Sequence, residues 1–321
     1  MRGKATGLIS ALLFALGLPG LLDANAQPEA PPDVREVRPR VAFGVYDPHS
    51  EFSGESAVDL EHIFVYWQAL DIPELKKGLA YASERDRDLI VTVEPYTKAA
   101  NWRDGGERLF TEITAGKFDD EINTLCGAMS EFEGGLFIRW GHEMEDPTGR
   151  YPWARDDSDG YKSAYRYFVD ACRQKLPKAA FIWSPKGEQN LVDYYPGDAH
   201  VDYIGLAVWG HQGMDRDYHG GWRDFEQTFR EKYDRVAGFG KPVYIAELGV
   251  AGEADYRSDW FRSLYESTFN GEFNLLQGVI YFNDEEPHRW PLGYGSPDWR
   301  ILRGWFSDAR RRPATEEKPA H

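Results

Sequence analysis

Between residues 41 and 283 short apolar runs alternate with stretches of helical character, and this rhythm constrains the fold more than any other feature. The runs are Val41–Asp47, His62–Trp67, Leu89–Pro95, Gly135–Glu143, Ala180–Pro185, Tyr203–Gly210, Pro242–Gly249 and Leu276–Asn283. Their near-continuous apolar character, rich in Val and Ile, predicts parallel strands buried on both faces. Among the stretches between them, Asp71–Arg87 opens on an Asp cap with Pro73 in the first turn, and Trp222–Phe239 stops before Gly240. Tyr161–Leu176 and Tyr256–Phe269 read the same way. Eight such strands over about 250 residues predict an α/β fold, a closed (β/α)8 TIM barrel in a single domain. A doubly wound open sheet is the rival, but VAFGVYDPHSEFSG after the first run is not a Gly-rich phosphate loop.

The flanks differ in character. Residues 1–26 read as a cleavable secretory signal: Arg2 and Lys4, an apolar stretch from Leu8 to Leu22, then Ala24-Asn25-Ala26 as the cleavage site. That stretch falls short of the ~20 residues a membrane span needs. The expectation is therefore a secreted or periplasmic protein with no membrane contact after cleavage. Residues 27–40 form a Pro-rich linker, 41–306 the catalytic barrel, and 307–321 a flexible tail carrying Arg310-Arg311-Arg312. With 37 Lys+Arg against 53 Asp+Glu the net charge is −16, which excludes nucleic acid as the expected partner. A monomer is expected. Cys126 and Cys172 both fall in predicted helices; export permits a bridge, but two buried free thiols are the preferred reading. No Cys-x-x-Cys pair or His-Glu-x-x-His motif occurs, so neither a metal nor a cofactor is expected.

In such barrels chemistry sits at the C-terminal ends of the strands. Those ends carry Asp47, Trp67, Glu94, His142, Glu143, Ser184, Trp209, Glu247 and Asn283. Buried carboxylates without a role are costly, so acids at so many rim positions point to a site. Strict alternation puts Phe137, Arg139, Gly141 and Glu143 on one face of the fourth strand, and Val243, Ile245 and Glu247 on one face of the seventh. An inward Arg139 needs an anion, and Glu143 or Glu247 would supply it. Two glutamates opposed across an aromatic-rimmed cleft are the equipment of glycoside hydrolysis, one protonated and one ionised.

The run Arg139-Trp140-Gly141-His142-Glu143-Met144, followed by Tyr151-Pro152-Trp153, resembles glycoside hydrolase family 26. Phe181–Pro185, Tyr195–Asp198, Val201–Gly205 and Pro242–Gly249 are similar to further segments of that family, in the same order. The family includes β-mannanases, mixed-linkage β-glucanases and β-1,3-xylanases. The resemblance implies a retaining endo-β-glycanase without cofactor, with Glu143 as general acid/base and Glu247 as nucleophile. It also implies that His142 contacts the sugar or holds the acid/base and that Arg139 orients the nucleophile. Trp209, Trp153, Trp290 and Glu94 complete the expected substrate-binding set. Ala207 stands where mannanase-type members carry an Asp, and Glu145 where an Asn is usual, so the polymer stays open among mannan, mixed-linkage β-glucan and an exopolysaccharide. The alternative is a non-catalytic or transglycosylating barrel that grips an exopolysaccharide.

Overall fold

The computed structural model describes residues 41–290 and 293–301; the expected signal, linker and tail lie outside the described residues. Eight parallel strands close in chain order: β1 (Ala42–Tyr46), β2 (Leu60–Tyr66), β3 (Asp88–Glu94), β4 (Leu136–Trp140), β5 (Ala180–Trp183), β6 (Tyr203–His211), β7 (Val243–Ala251) and β8 (Leu276–Phe282). β1 pairs with β8 as well as with β2, which seals the barrel and leaves no open edge. All eight apolar runs of the sequence are strands.

Around them lie α1 (Ile72–Glu84), α2 (Leu109–Thr114), α3 (Asp119–Ala128), α4 (Ser158–Arg173), α5 (Gln212–His219), α6 (Phe225–Val236) and α7 (Ala254–Phe269). The starts of α1, α4, α5 and α6 are set by side-chain caps. Asp71 accepts from the Glu74 amide at 2.9 Å with Pro73 in the first turn, and Asp224 and Gln227 form a reciprocal capping box on α6. Helical alternation is incomplete: among the described residues no α-helix joins β1 to β2 or β5 to β6. In the first gap Phe52 is fully buried, and Arg87 donates to the Phe52 and Glu55 carbonyls while pairing with Glu61. In the second, a 3-10 turn at Leu191–Tyr194 buries Leu191 and Tyr194. No helix among the described residues is long and apolar enough to cross a membrane.

The two cysteines are bonded to each other, contrary to the free-thiol reading. Each lies on the buried face of its helix, and α3 packs against α4, so the Cα atoms come within 5.4 Å. The sequence places both in helices but cannot say that those two faces meet.

The barrel interior is layered. Leu60, Ile90, Phe137, Ala180, Ile182, Tyr244 and Ile280 pack together as an apolar cluster inside it. Val243 and Ile245 instead join the larger core between strands and helices. Strict alternation would send Glu247 outward with them. It does not, because β7 carries a bulge: Leu206 pairs with Ile245 but Ala207 pairs with Glu247, leaving Ala246 as the extra residue. The expected common face for Val243, Ile245 and Glu247 is thus corrected; the bulge turns Glu247 to the interior alone. Opposite the bulge, Gly205 makes room. A Cβ there would sit 2.7 Å from Ile182 Cγ2, 3.1 Å from Ser184 Oγ and 3.2 Å from Ala246 Cβ. Gly205→Ala should therefore cost about 1–3 kcal/mol through overpacking, read as a lower urea midpoint. An unchanged midpoint would mean that the interior beside the bulge is looser than described.

Candidate active site

Above the apolar floor lies a polar layer centred on Arg139, which is fully buried. Its Nε donates to Ser184 Oγ at 2.8 Å and one terminal nitrogen to Thr92 Oγ1 at 3.3 Å. Thr92 in turn meets His62 Nε2 at 2.7 Å, and Ser184 donates to the Gly205 carbonyl at 2.9 Å. The charge of Arg139 is met by Glu247, with Nη1 and Oε1 2.5 Å apart. A buried guanidinium needs such an anion, and the pair holds the Glu247 side chain at the top of the barrel.

The chain leaves β4 abruptly. Gly141 (φ 55°) and Glu143 (φ 52°) both adopt left-handed backbone, a conformation that costs a non-glycine residue about 1–3 kcal/mol and gathers at functional sites. The Glu143 amide donates to the Ser184 carbonyl at 2.7 Å, which helps to pay for the turn. These left-handed residues end the strand's alternation at Trp140, so His142 is buried at the mouth rather than against the helices. Its Nε2 is 3.9 Å from Glu94, and its ring meets Tyr151 edge-on at 4.9 Å. Burial, and then the Arg139 charge, hold His142 well below the ordinary imidazole range, so it is neutral. Burial, and then the Glu247 charge, raise Glu143. The same two causes push Glu94 up to about 8. Near neutral pH Glu94 thus favours its protonated form, and Glu143 is shifted in the same direction.

The remaining sequence candidates divide. Trp209 and Trp290, both half-buried, line a cleft of about 510 Å³ together with Glu143. Trp290 also stacks on His211 at 5.6 Å. Trp153 is placed differently: it is fully buried, donates to the His142 carbonyl at 2.6 Å and stacks under Tyr151 at 4.6 Å. It has no face left for a ligand and acts as the wall that holds His142. Glu145 is also internal, accepting from the Gly187 and Glu188 amides at 2.8 and 3.2 Å. Asp47 and Asn283 tie loops: Asp47 accepts from the Phe52 amide at 2.7 Å, and Asn283 accepts from the Ile301 amide at 2.9 Å.

Several residues at the site were not singled out from sequence. Arg150, Lys186 and Lys232 line the cleft with Glu143. Tyr46 meets Phe64 edge-on at 5.1 Å, and Tyr66 and Tyr96 meet at 5.4 Å on the β2–β3 side. Tyr46 stands at the end of β1 one residue before Asp47, so its position was legible. The three cations lie on loops and α6, where strand-end reasoning does not look.

The model of Glycosyl hydrolase family 26 matches residues 118–264, a span that runs from α3 to α7 and contains both glutamates. Endoglucanase H of Acetivibrio thermocellus is 22% identical over 253 residues, covering 75% of this chain and 26% of its own length. Beta-1,3-xylanase TXYA of a Vibrio species is 19% identical over 218 residues, covering 58% of this chain and 44% of its own. The chain therefore spans about a quarter to under half of these relatives. Among solved structures, a modular endo-beta-1,4-mannanase from Cellulomonas fimi superposes with a TM-score of 0.59 at 14% identity, over 85% of this chain and 71% of that one. The GH26 endo-beta-1,4-mannanase catalytic domain of Bacillus sp. JAMB-750 gives 0.60 at 15%, over 81% and 80%. The barrel fold is shared with both, and the resemblance to family 26 is borne out.

The Arg139–Glu247 pair is testable without any substrate. Arg139→Met should lower stability by about 3–5 kcal/mol, because it leaves the Glu247 carboxylate buried without a counter-charge. Arg139→Lys should recover only part of that, since an ammonium cannot reach Ser184 and Glu247 together. Equal urea midpoints for the wild type and Arg139→Met would show the pair to be dispensable.

Proposed function

Starting from the likeness to glycosyl hydrolase family 26 over residues 118–264, we propose that this protein is an endo-acting β-glycanase that hydrolyses a β-linked polysaccharide with retention of configuration. One observation carries the reading: Glu143, raised by burial and by its neighbour's charge, shares the barrel mouth with Glu247, which is paired with an internal arginine. Pairs of carboxyls whose environments push their protonation apart divide into acid and nucleophile.

In the first step Glu247 attacks the anomeric carbon while Glu143 gives its proton to the departing glycosidic oxygen. The C–O bond breaks, a glycosyl ester forms on Glu247, and the released chain leaves as an alcohol. In the second step Glu143, now ionised, takes a proton from water whose oxygen attacks the same carbon, and Glu247 departs as a carboxylate. Two inversions give net retention, a route that needs the carboxyl groups about 5–5.5 Å apart. Neutral His142 would hydrogen-bond a sugar hydroxyl or the acid/base, and neutral Glu94 beside it would do the same. Trp209 and Trp290 would stack on sugar rings along the cleft. The expected export would bring the enzyme to a polymer outside the cytoplasm.

Glu247→Ala should release no reducing ends from any β-glycan the wild type cleaves. Glu143→Gln should lose about 10²–10⁴-fold on the polymer. Because the raised Glu143 must be protonated to act, kcat/KM should persist above the ordinary carboxyl range and fall as pH rises through its shifted value. A profile already lost by about pH 5 would remove Glu143 from the acid role. Proton NMR of the first product should show the β-anomer, and an initial α-product would contradict double displacement.

A further inference from the structure

The charge of the cleft is opposite to that of the chain. Acids outnumber bases 53 to 37 overall. Around the cleft the lining holds Arg103, Arg150, Lys186, Arg223, Lys232 and Arg289, with His211 and His219, against Glu143, Asp146, Asp215 and Glu231. Three of those four carboxylates are already paired. Asp146 lies 3.1 Å from Lys186, Asp215 lies 3.0 Å from Arg223, and Glu231 lies 3.0 Å from Arg235. The fourth is Glu143 itself.

What remains is cationic. Among the described residues Lys232 donates to neutral acceptors alone, the Lys186 and Ala207 carbonyls, each at 2.7 Å. Arg103 and Arg289 are exposed, on the loops after β3 and β8, and neither has an ion-pair partner among the described residues. They are not loosely held. The Arg103 guanidinium lies 4.8 Å over the Trp102 ring, and Trp102 stacks on His288 at 4.8 Å, with Arg289 next in the chain. Arg150 pairs with Glu286 at 3.1 Å, yet its Nε is buried without an acceptor. A neutral sugar needs hydroxyl partners and ring faces, which this site also has. It does not need unpaired guanidinium forks, whose geometry matches carboxylates. In a low-dielectric cleft such charges focus the field and select an anion.

Resting on the glycanase reading above, we propose that the substrate is an acidic β-glycan, with carboxylates on the sugars that lie along the Arg103–Arg289 side of the cleft, rather than a neutral mannan, glucan or xylan.

The test uses β-1,4-glucan and β-1,4-mannan oxidised at C6 to graded carboxylate content, the same polymers reduced back to the neutral form, and a half-succinylated β-glucan. The oxidised and succinylated arms distinguish a backbone carboxylate from a pendant one. At low salt kcat/KM should rise at least about fivefold from neutral to half-oxidised polymer. The preference should shrink in about 1 M NaCl, where the Debye length falls to about 3 Å. The Arg103→Gln/Arg289→Gln double variant should bring the acidic-to-neutral ratio close to one. In parallel, retardation of Glu143→Gln protein in native gels cast with each polymer reads the preference without turnover. Cleavage of neutral polymer as fast as acidic polymer, with equal retardation, overturns the proposal and leaves the glycanase reading standing. Selective retardation by acidic polymer, with no cleavage of any by the wild type, supports the charge preference and defeats the glycanase reading.

Discussion

The site depends on one ion pair inside a barrel that could have been filled with hydrocarbon. Arg139 and Glu247 meet above the apolar floor, and Thr92, Ser184 and His62 extend the polar contacts around them. Buried pairs of this kind are poor stabilisers, because desolvating both ions offsets their attraction, and well-packed apolar residues of similar volume often do as well. Stability therefore does not account for this pair. It fixes the position and orientation of one carboxylate. That carboxylate's charge then acts, after burial, to raise its two acidic neighbours, Glu143 and Glu94.

Much of this was legible in the sequence, and the misses have physical causes. Strand rhythm located all eight strands and therefore the rim, where Glu94, His142, Glu143 and Glu247 were found. Alternation gave the right neighbours for Arg139, because β4 is regular up to Trp140. It misplaced Glu247 relative to Val243 and Ile245, since a bulge shifts parity and no residue type announces it. It also separated His142 from Glu143, which two left-handed residues bring to one mouth; Gly141 hinted at such a turn, but Glu143 did not. Trp153 looked like a ligand platform because its neighbours do, and only the fold reveals Tyr151 stacked over it. The Cys126–Cys172 bond required knowing which helix faces meet.

The loops follow a different logic from the strands. Strand ends supply the carboxyls and the internal arginine, whereas the cations and most open ring faces come from the loops after β3, β4, β5 and β8 and from α5 and α6. Chemistry built into strands is held by packing; recognition on loops can change without disturbing it. This division fits relatives at 19–22% identity whose names carry different polymers.

The extra residue at Ala246 makes the position of Glu247 depend on local backbone geometry as well as on residue identity. Ile245 and Leu248 both belong to the outer core although three positions apart, a spacing regular pleating cannot give, so the bulge lets Glu247 face inward while the hydrophobic stripes on either side stay in step. An inventory of motif letters would miss this backbone feature, because the residue types on either side of it are ordinary.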